Sequence, residues 1–381
     1  MYNRQIQSIV EQLVLTFPVL SITGPRQSGK TTLCKMVFPQ YQYINLEQES
    51  VRLAIQMNPV EYLRQFTTGV ILDEAHYLPE VFSAIQVLVD EDKSRRFILS
   101  GSSNFLLMQN ISQSLAGRVA ILRLLPFSLS ELGESAAPLS TDTLLLRGCF
   151  PAIWGDNRPV WNVYDSYFST YIQRDVRLVT NIRDINLFTK FIRLCAARIG
   201  TEFNSSALAN EVGVSVKTIQ GWLSVLQTSY VAFTLRPYYR NLGKRLIKAP
   251  KVYFYDTGLV CYLLGLHSEK DVASCPIRGS LFENMVVANQ LKERYHHGLD
   301  DNLYFYRDKA HEVDLLQEDA MRLHATEIKS ATVLHPDFFK NLDYLREVMK
   351  DDILSTQVVY DGYVELPVDN NGYINYRHFP S

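Results

Sequence analysis

One segment of the sequence constrains the fold more than any other. Residues 24–31 read GPRQSGKT, which fits the pattern G-x-x-x-x-G-K-[ST] at every defined position. An apolar run at 19–22 precedes the segment and a helical pattern at 32–37 follows it. Glycines let the backbone wrap a phosphate, and N–H groups at the helix start supply positive charge. The pattern predicts a phosphate-binding loop in which Lys30 reaches the β- and γ-phosphates and the Thr31 hydroxyl ligates Mg²⁺.

A nucleoside triphosphate is therefore the expected cofactor, together with Mg²⁺. The residues expected to contact it are Gly24, Pro25, Arg26, Gln27, Ser28, Gly29, Lys30, Thr31 and Thr32.

Two carboxylates follow a second apolar run, at 70–72. They are Asp73 and Glu74, and Asp73 stands 42 residues after Thr31. Beside a phosphate loop, Asp73 is suited to the Mg²⁺ shell and Glu74 to polarising the attacking water. Such a pair on its own would more often be a solvated strand end. Together with the loop, it predicts hydrolysis rather than nucleotide binding alone.

Short apolar runs alternate with helical patterns through the first third of the chain. The strand-like runs lie at 19–22, 43–46, 70–72 and 97–99, and a helical pattern covers 79–89. Strands alternating with helices predict a parallel α/β sheet. The periodicity lapses at 133–138, which predicts a linker or surface loop.

Two further polar features could serve the same site. Ser100, at the tip of the run 97–99, could orient the lytic water or contact the γ-phosphate, although a plain Ser/Gly turn is the alternative. Arg118 follows a helical pattern and could act as an arginine finger on a neighbouring subunit's nucleotide. A surface salt bridge is the other interpretation of Arg118.

These motifs together resemble the AAA-type ATPases of bacteria and archaea, in particular a subgroup with a carboxy-terminal domain of unassigned function. The segments that carry the resemblance are 23–32, 72–74, 99–102, 115–118, 171–176, 251–258 and 282–284. The resemblance implies an extra strand between the loop strand and the Asp73 strand. It also implies that Ser100 or Ser102 is the first sensor, and that Arg118 is a finger or second sensor, with Arg174 as an alternative sensor.

The composition is that of an ordinary globular protein. The 381 residues carry 38 Lys and Arg against 40 Asp and Glu, so the overall charge of −2 does not indicate a nucleic-acid partner. The five cysteines have no C-x-x-C spacing and are expected to be reduced and mostly buried. No apolar run approaches membrane-spanning length and no signal peptide is evident, so a cytoplasmic protein without a membrane partner is expected.

The middle of the chain has the outline of a winged helix-turn-helix. Helical patterns at 207–212 and 216–227 are followed by strand-like runs at 230–235 and 251–255. The loop 236–251 holds six positive residues and no acid, interleaved with two tyrosines. Such a loop could straddle DNA phosphates, mainly without sequence readout; a solvated hairpin on an ATPase lid or protein-docking module is the alternative. The candidate contact residues are Lys217, Arg240, Lys244, Arg245 and Lys248.

The end of the chain contains a pattern of carboxylates and a lysine. Asp314 begins an apolar strand, Glu327 follows 13 residues later, and Lys329 shares its strand face with Glu327. With Glu283 on the preceding helix, this arrangement resembles the PD-(D/E)xK nuclease fold, although Val313 replaces the motif's proline. The three carboxylates could hold Mg²⁺ and activate a water for phosphodiester cleavage. A nuclease scaffold without activity, used for docking, is an equal alternative.

The sequence therefore predicts an α/β chain of three parts. They are an AAA-type P-loop ATPase domain at 1–135, a helical and winged-helix domain at 145–265, and a restriction-endonuclease-like α/β domain at 270–381. We expect an Mg²⁺-dependent ATPase whose nucleotide state is coupled to the other two parts, acting on or binding DNA. A nucleotide-controlled interaction switch with an inactive docking domain is the main alternative, and a DNA-binding regulator with an ATPase sensor is a third. The sequence does not decide whether the protein forms a homo-oligomer, which Arg118 acting in trans would require.

Overall fold

The computed structural model describes residues 2–101, 104–156, 158–171, 182, 184–239, 248–308, 310–368 and 371–379. It divides into two compact units. The first comprises residues 1–127, 228–230 and 294–299, and the second comprises the rest of the chain. No helix among the described residues is long and apolar enough to cross a membrane.

The first unit is built on a five-stranded parallel sheet. Its strands are β1 (Val19–Thr23), β2 (Gln42–Asn45), β3 (Val70–Asp73), β4 (Phe97–Gly101) and β5 (Val119–Arg123). The strand order is β2-β3-β4-β1-β5. The predicted parallel sheet is thereby confirmed, and so is the extra strand, because β4 lies between the loop strand β1 and the Asp73 strand β3. The edge strand β5 is an element that the sequence analysis missed.

Helices cover both faces of this sheet. They are α1 (Gln7–Thr16), α2 (Lys30–Val37), α3 (Glu49–Gln56), α4 (Pro59–Arg64), α5 (Glu80–Glu91) and α6 (Asn104–Ser114). Alternate residues of each strand enter opposite cores: Val70 and Leu72 pack with Ile85 on one face, whereas Ile71 packs with Leu33 on the other. Burial on both faces explains why these strands read as unbroken apolar runs.

The second unit contains an eight-stranded mixed sheet in the order β12-β13-β11-β10-β9-β8-β6-β7. The strands are β6 (Ala232–Pro237), β7 (Lys251–Phe254), β8 (Leu303–Arg307), β9 (Glu312–Asp319), β10 (Arg322–Lys329), β11 (Ile353–Tyr360), β12 (Leu366–Val368) and β13 (Asn371–Asn375). Strand β6 pairs with β7 in antiparallel fashion and with β8 in parallel fashion. Strands from the predicted second and third domains therefore belong to one sheet.

The helices of the second unit account for most of its predicted helical patterns. They are α7 (Leu129–Leu132), α8 (Thr141–Arg147), α9 (Pro151–Gly155), α10 (Val160–Tyr167), α11 (Ile185–Ala196), α12 (Ser205–Val212), α13 (Val216–Thr228), α14 (Thr257–Leu264), α15 (Glu269–Ala273), α16 (Arg278–His296) and α17 (Lys340–Met349). Asn204 caps α12 by accepting from the Ala207 N–H at 2.9 Å, which is why the polar segment before this helix marks its start. None of the five cysteines forms a disulfide.

Candidate functional site

The phosphate-loop segment adopts a backbone that only its glycines allow. Gly24 has φ of 151°, and a Cβ there would lie 2.1 Å from the carbonyl oxygen of Leu124. Gly29 has φ of 93° and stands immediately before α2, which begins at Lys30. The residues present therefore fit a phosphate, because the glycines allow a tight loop and the N–H groups at the start of a helix bind anions.

The ammonium group of Lys30 lies within the loop. Its Nζ donates to the carbonyl oxygens of Gly24 at 2.9 Å and Pro25 at 2.7 Å, and the residue is 6% exposed. Burial lowers the pKa of Lys30, while Glu74 and Asp73 nearby act in the opposite direction. A phosphate would supply stronger, charged acceptors for the same ammonium group.

Asp73, at the end of β3, is surrounded by hydroxyl groups. Its Oδ2 accepts from Thr31 Oγ1 at 2.8 Å and from the Tyr43 hydroxyl at 2.7 Å, and its Oδ1 accepts from Ser100 Oγ. Asp73 is 5% exposed. The structure thus brings together three predicted residues, Thr31, Asp73 and Ser100, and adds Tyr43 from β2.

Glu74 is the first residue beyond β3 and has φ of 53° and ψ of 47°. Its Oε2 lies 3.2 Å from Nδ1 of His76, two residues along the chain. A Cβ on Gly101, at the end of β4, would come within 3.4 Å of the same His76 nitrogen and 3.8 Å of Glu74 Oε2. The left-handed backbone at Glu74 and the close approach of β4 therefore hold the carboxylate beside an imidazole.

The remaining residues of the predicted site have separate environments. Ser28 is buried, with its hydroxyl donating to the Pro25 carbonyl at 2.9 Å, and Arg26 lies 3.7 Å from the carboxylate of Glu47. Arg118 makes two contacts with the Asp90 carboxylate, at 2.7 and 2.8 Å. It directly precedes β5, so it lies at the amino ends of the strands, whereas the loop follows the carboxyl end of β1. Within one subunit the structure does not bring Arg118 to the loop. Ser102 and Arg174 lie outside the described residues.

Three side chains at this site were not found by sequence analysis. They are Tyr43, His76 and Arg4, which donates to the carbonyl oxygens of Ser28 and Leu125 at 2.8 Å each. Tyr43 lies within β2 and His76 follows β3, two segments in which the sequence predicted strands. The sequence gives no comparable signal for Arg4, whose contact with the loop spans 24 residues.

The carboxylates predicted at the end of the chain are also buried in the structure. Asp314 is 9% and Glu327 3% exposed, and Lys329 Nζ lies 2.6 Å from Glu327 Oε1 and 3.6 Å from Asp314 Oδ2. Glu283 receives hydrogen bonds from Lys251 Nζ at 3.1 Å and from the Tyr253 hydroxyl at 2.5 Å. The same Lys251 Nζ lies 2.6 Å from Glu312.

Burial changes the acidity of these groups. Desolvation, with repulsion from Asp314, raises the pKa of Glu283 to about 7 and that of Glu327 to about 8. Glu327 Oε2 is buried without a hydrogen-bond partner in the described part of the chain, which suits a protonated carboxyl.

The metal site predicted for Glu283, Asp314 and Glu327 stays a prediction. Among the described residues, no group of three or more His, Cys, Asp or Glu side chains is arranged to hold a metal ion. Each predicted ligand instead has a close polar partner within the protein: Lys251 for Glu283, and Lys329 for Asp314 and Glu327.

The predicted nucleic-acid contacts are only partly described. Lys217, on α13, and Lys248 are exposed. Arg240, Lys244 and Arg245 lie outside the described residues.

Comparison with known families matches three successive segments. The family model of an AAA domain matches residues 16–133. Two domains of unknown function, DUF8612 and DUF4143, match residues 139–270 and 278–379. The first match and the loop geometry support an AAA-type P-loop ATPase.

Two mycobacterial proteins are similar along most of the chain. They are the uncharacterized proteins Rv2008c of Mycobacterium tuberculosis and Mb2031c of Mycobacterium bovis. Each is 29% identical over 361 residues, which is 93% of this chain and 78% of the relative.

Solved structures show weaker likeness. The Walker-type ATPase PABY2304 of Pyrococcus abyssi is 14% identical, with a TM-score of 0.45 over 69% of this chain and 96% of its own. The Aeropyrum pernix ORC2 protein, in its ADP form, is 15% identical, with a TM-score of 0.31 over 60% of this chain and 85% of its own.

Proposed function

We propose that the amino-terminal unit hydrolyses ATP with the help of Mg²⁺ at residues 24–32 and 73–74. The observation that carries the proposal is the 2.8 Å hydrogen bond from Thr31 to Asp73. It joins the helix that follows the phosphate loop to the acid at the end of β3. The AAA-domain match over residues 16–133 supports the same assignment.

The oxygen atoms of Thr31 and Asp73 fit Mg²⁺, which binds proteins through one or two carboxylates and completes its shell with phosphate and water. When bound, the metal ion would supply charge that stabilises the transferring phosphoryl group. The protein's own part is to hold the phosphates with loop N–H groups and the Lys30 ammonium.

Glu74 is proposed as the general base and His76 as its positioning partner. The 3.2 Å contact between them sets where the carboxylate is held. Ser100, which donates to Asp73, is proposed to act as the first sensor through that acid.

Two substitutions test the ATPase. Lys30→Ala should abolish nucleotide binding, because in this assignment the Lys30 ammonium is the cation that reaches the β- and γ-phosphates. Glu74→Gln should retain binding but lower turnover at least about a hundredfold, the usual loss when general base catalysis is removed. Binding is measured with labelled ATP and turnover as phosphate release.

Exposed residues of the same unit provide matched controls. Lys93→Ala and Glu80→Gln change the same charges on solvent-facing side chains and should leave both measurements unchanged. Hydrolysis by Glu74→Gln at the wild-type rate would remove Glu74 as the base.

Arg118 is proposed to act only on a neighbouring subunit's nucleotide, because its own strand places it at the opposite end of the sheet. Arg118→Ala should then lower hydrolysis, and mixing it with Lys30→Ala subunits should restore activity through hybrid sites. Equal activity of Arg118→Ala and wild type would reduce the residue to its ion pair with Asp90.

We also propose that residues 205–254 form a winged helix that contacts DNA phosphates. The order α12, α13 and then the antiparallel pair β6–β7 supports the winged-helix assignment. Neutralising Arg240, Lys244 and Arg245 together should weaken DNA binding. The slope of the logarithm of affinity against the logarithm of salt concentration should become shallower, by the equivalent of up to about three phosphate contacts. Unchanged affinity would exclude the basic loop as a contact.

For the end of the chain we propose a nuclease-like scaffold. Helix α16, the antiparallel strands β8–β10, α17 and the parallel strand β11 follow one another in the order expected for that fold. The contact of Lys251 with Glu283 favours the docking alternative over cleavage, whereas the contact of Lys329 with Glu327 is the one that the nuclease pattern predicts. Cleavage of DNA or RNA with Mg²⁺ or Mn²⁺ by wild type, but not by Asp314→Ala, would reverse that preference.

A further inference from the structure

Two sequence segments that the ATPase does not use contact one another in the second unit. They are residues 251–258, which include β7, and residues 282–284 of α16. The side chain of Asn284 accepts from the Phe254 N–H and donates to the Phe254 carbonyl, each at 2.8 Å. Asn284 is fully buried. This paired hydrogen bond fixes the position of β7 on the helix that carries Glu283.

The same strand places a lysine among carboxylates. Lys251, at the start of β7, is 1% exposed, and its Nζ lies 3.1 Å from Glu283 Oε1 and 2.6 Å from Glu312 Oε1. Two residues further along β7, Tyr253 donates to Glu283 at 2.5 Å. The alternation of the strand directs both side chains to the same carboxylate.

A lysine in this position supplies positive charge as a metal ion would, but it does not coordinate oxygen ligands as a metal ion does. An ammonium group offers three hydrogen-bond donors, whereas Mg²⁺ needs six oxygen ligands near 2.1 Å, by general coordination chemistry. Lys251 donates to Glu283 and Glu312. Because the Glu283 carboxylate is occupied by this contact, it is not free to bind a metal ion. On the other side of the cluster, Lys329 contacts Asp314 and Glu327 in the same manner.

We infer that Lys251 is a built-in cation that takes the place of a divalent metal ion beside Glu283. Segments 251–258 and 282–284 go together because the first supplies the cation and the second supplies its carboxylate. The end of the chain is accordingly a nuclease-like scaffold that has no metal site at Glu283 while Lys251 is present. This inference is independent of ATP hydrolysis.

The test measures Mn²⁺ binding to the full chain by electron paramagnetic resonance, in the absence of nucleotide. All variants carry Asp73→Asn, so that the acid beside the phosphate loop does not contribute. The parent should have no Mn²⁺ site that depends on Glu283. Lys251→Met should gain one site, with affinity at least about tenfold above the parent's weak background, equivalent to 1.4 kcal/mol. Adding Glu283→Gln should remove that site again.

Lys251→Arg is the matched control, because it keeps the positive charge and should bind Mn²⁺ no better than the parent. A merely structural ion pair would give no gain in Lys251→Met, and that result in a folded variant would overturn the inference. A parent site that is lost on Glu283→Gln would overturn it as well. If Lys251→Met fails to fold, as judged by circular dichroism, Lys251→Gln, which also removes the positive charge but stays polar, replaces it in the same comparison.

Discussion

Asp73 in the first unit and Glu283 in the second were both predicted to hold a metal ion, and the structure gives them different partners. Asp73 accepts hydrogen bonds from the neutral hydroxyls of Thr31, Tyr43 and Ser100. Glu283 lies against the ammonium group of Lys251. Lys30 lies near Asp73 but donates to carbonyl oxygens of the loop, whereas Lys251 contacts the Glu283 carboxylate directly.

This difference shows why a carboxylate pattern alone does not define a metal site. In both units the acids lie on strands or on a neighbouring helix and are largely buried. What distinguishes them is the charge of the groups that other segments bring to them. The four predictions below test that distinction, from the largest expected effect to the smallest.

The largest effect is expected from removing the lysine. Lys251→Met leaves Glu283 without its cation, whereas Glu312 keeps its contact with Arg307. Breaking a buried ion pair in this way costs about 3–5 kcal/mol. The free energy of unfolding from urea titration at pH 8 measures the loss. Lys270→Met, on the exposed face of α15, is the control and should change it by less than about 0.5 kcal/mol.

A double variant sharpens this result. Lys251→Met with Glu283→Gln should recover part of the lost stability, since a neutral amide replaces one unpaired carboxylate. Strictly additive losses would mean that the two side chains do not act as a pair.

The second effect concerns Asp73. Asp73→Asn keeps the shape but removes the charge, so Mg²⁺-dependent phosphate release should fall at least about a hundredfold, the scale of lost metal-ion stabilisation. Stability should change little, because the amide oxygen can still accept on one side and a hydroxyl facing the amide nitrogen can turn to accept from it. A large loss of stability with a preserved rate would show that Asp73 is structural, like the acids of the second unit.

The third effect is a pH dependence confined to the second unit. The pKa of Glu327 is raised in the folded state to about 8, above its ordinary value, so the folded protein binds a proton more tightly than the unfolded chain. Its contribution to stability is therefore fully present below pH 4.5 and is lost as the pH rises through 8. Glu327→Gln should flatten unfolding curves between pH 5 and 8 by about 1–2 kcal/mol, allowing for the coupling to Asp314. A steeper curve in the variant would contradict the raised pKa.

The sequence predicted much of the first unit because its signals are local. The glycines at 24 and 29 indicate backbone angles that other residues avoid, and apolar runs predict strands buried on both faces. The position of β4 between β1 and β3 came from a family resemblance and not from periodicity. Tyr43 and Arg4 were missed because an ordinary strand tyrosine and a terminal arginine carry no pattern of their own.

The second unit was harder to predict because its decisive contacts are distant along the chain. Asp314, Glu327 and Lys329 were found from strand spacing, and they lie on the neighbouring strands β9 and β10. Lys251 was counted among the positive residues of the basic loop and also began the predicted strand 251–255, but its burial was not predicted. Only the pairing of β6 with β8 brings that strand into the same sheet as β9, and spacing within one segment cannot show this.

The smallest effect is expected from a substitution of Tyr43. It distinguishes two roles for the hydroxyl groups around Asp73, competition with Mg²⁺ and positioning of the carboxylate. If the Tyr43 hydroxyl competes with Mg²⁺ for Asp73 Oδ2, Tyr43→Phe should lower the Mg²⁺ concentration for half-maximal hydrolysis about two- to fivefold. This change is smaller than the full strength of a hydrogen bond to a charged group, because water takes the place of the lost hydroxyl. The maximal rate should stay within about twofold, since the hydroxyl does not touch the reacting atoms in this assignment. If the hydroxyl instead positions the carboxylate, the Mg²⁺ requirement should rise. Tyr62→Phe, on a half-buried tyrosine of α4, is the control for loss of a hydroxyl. A raised requirement would make the site of Asp73 more like that of Glu283, where a tyrosine and a charged partner fix the acid, and would weaken the contrast between the two units.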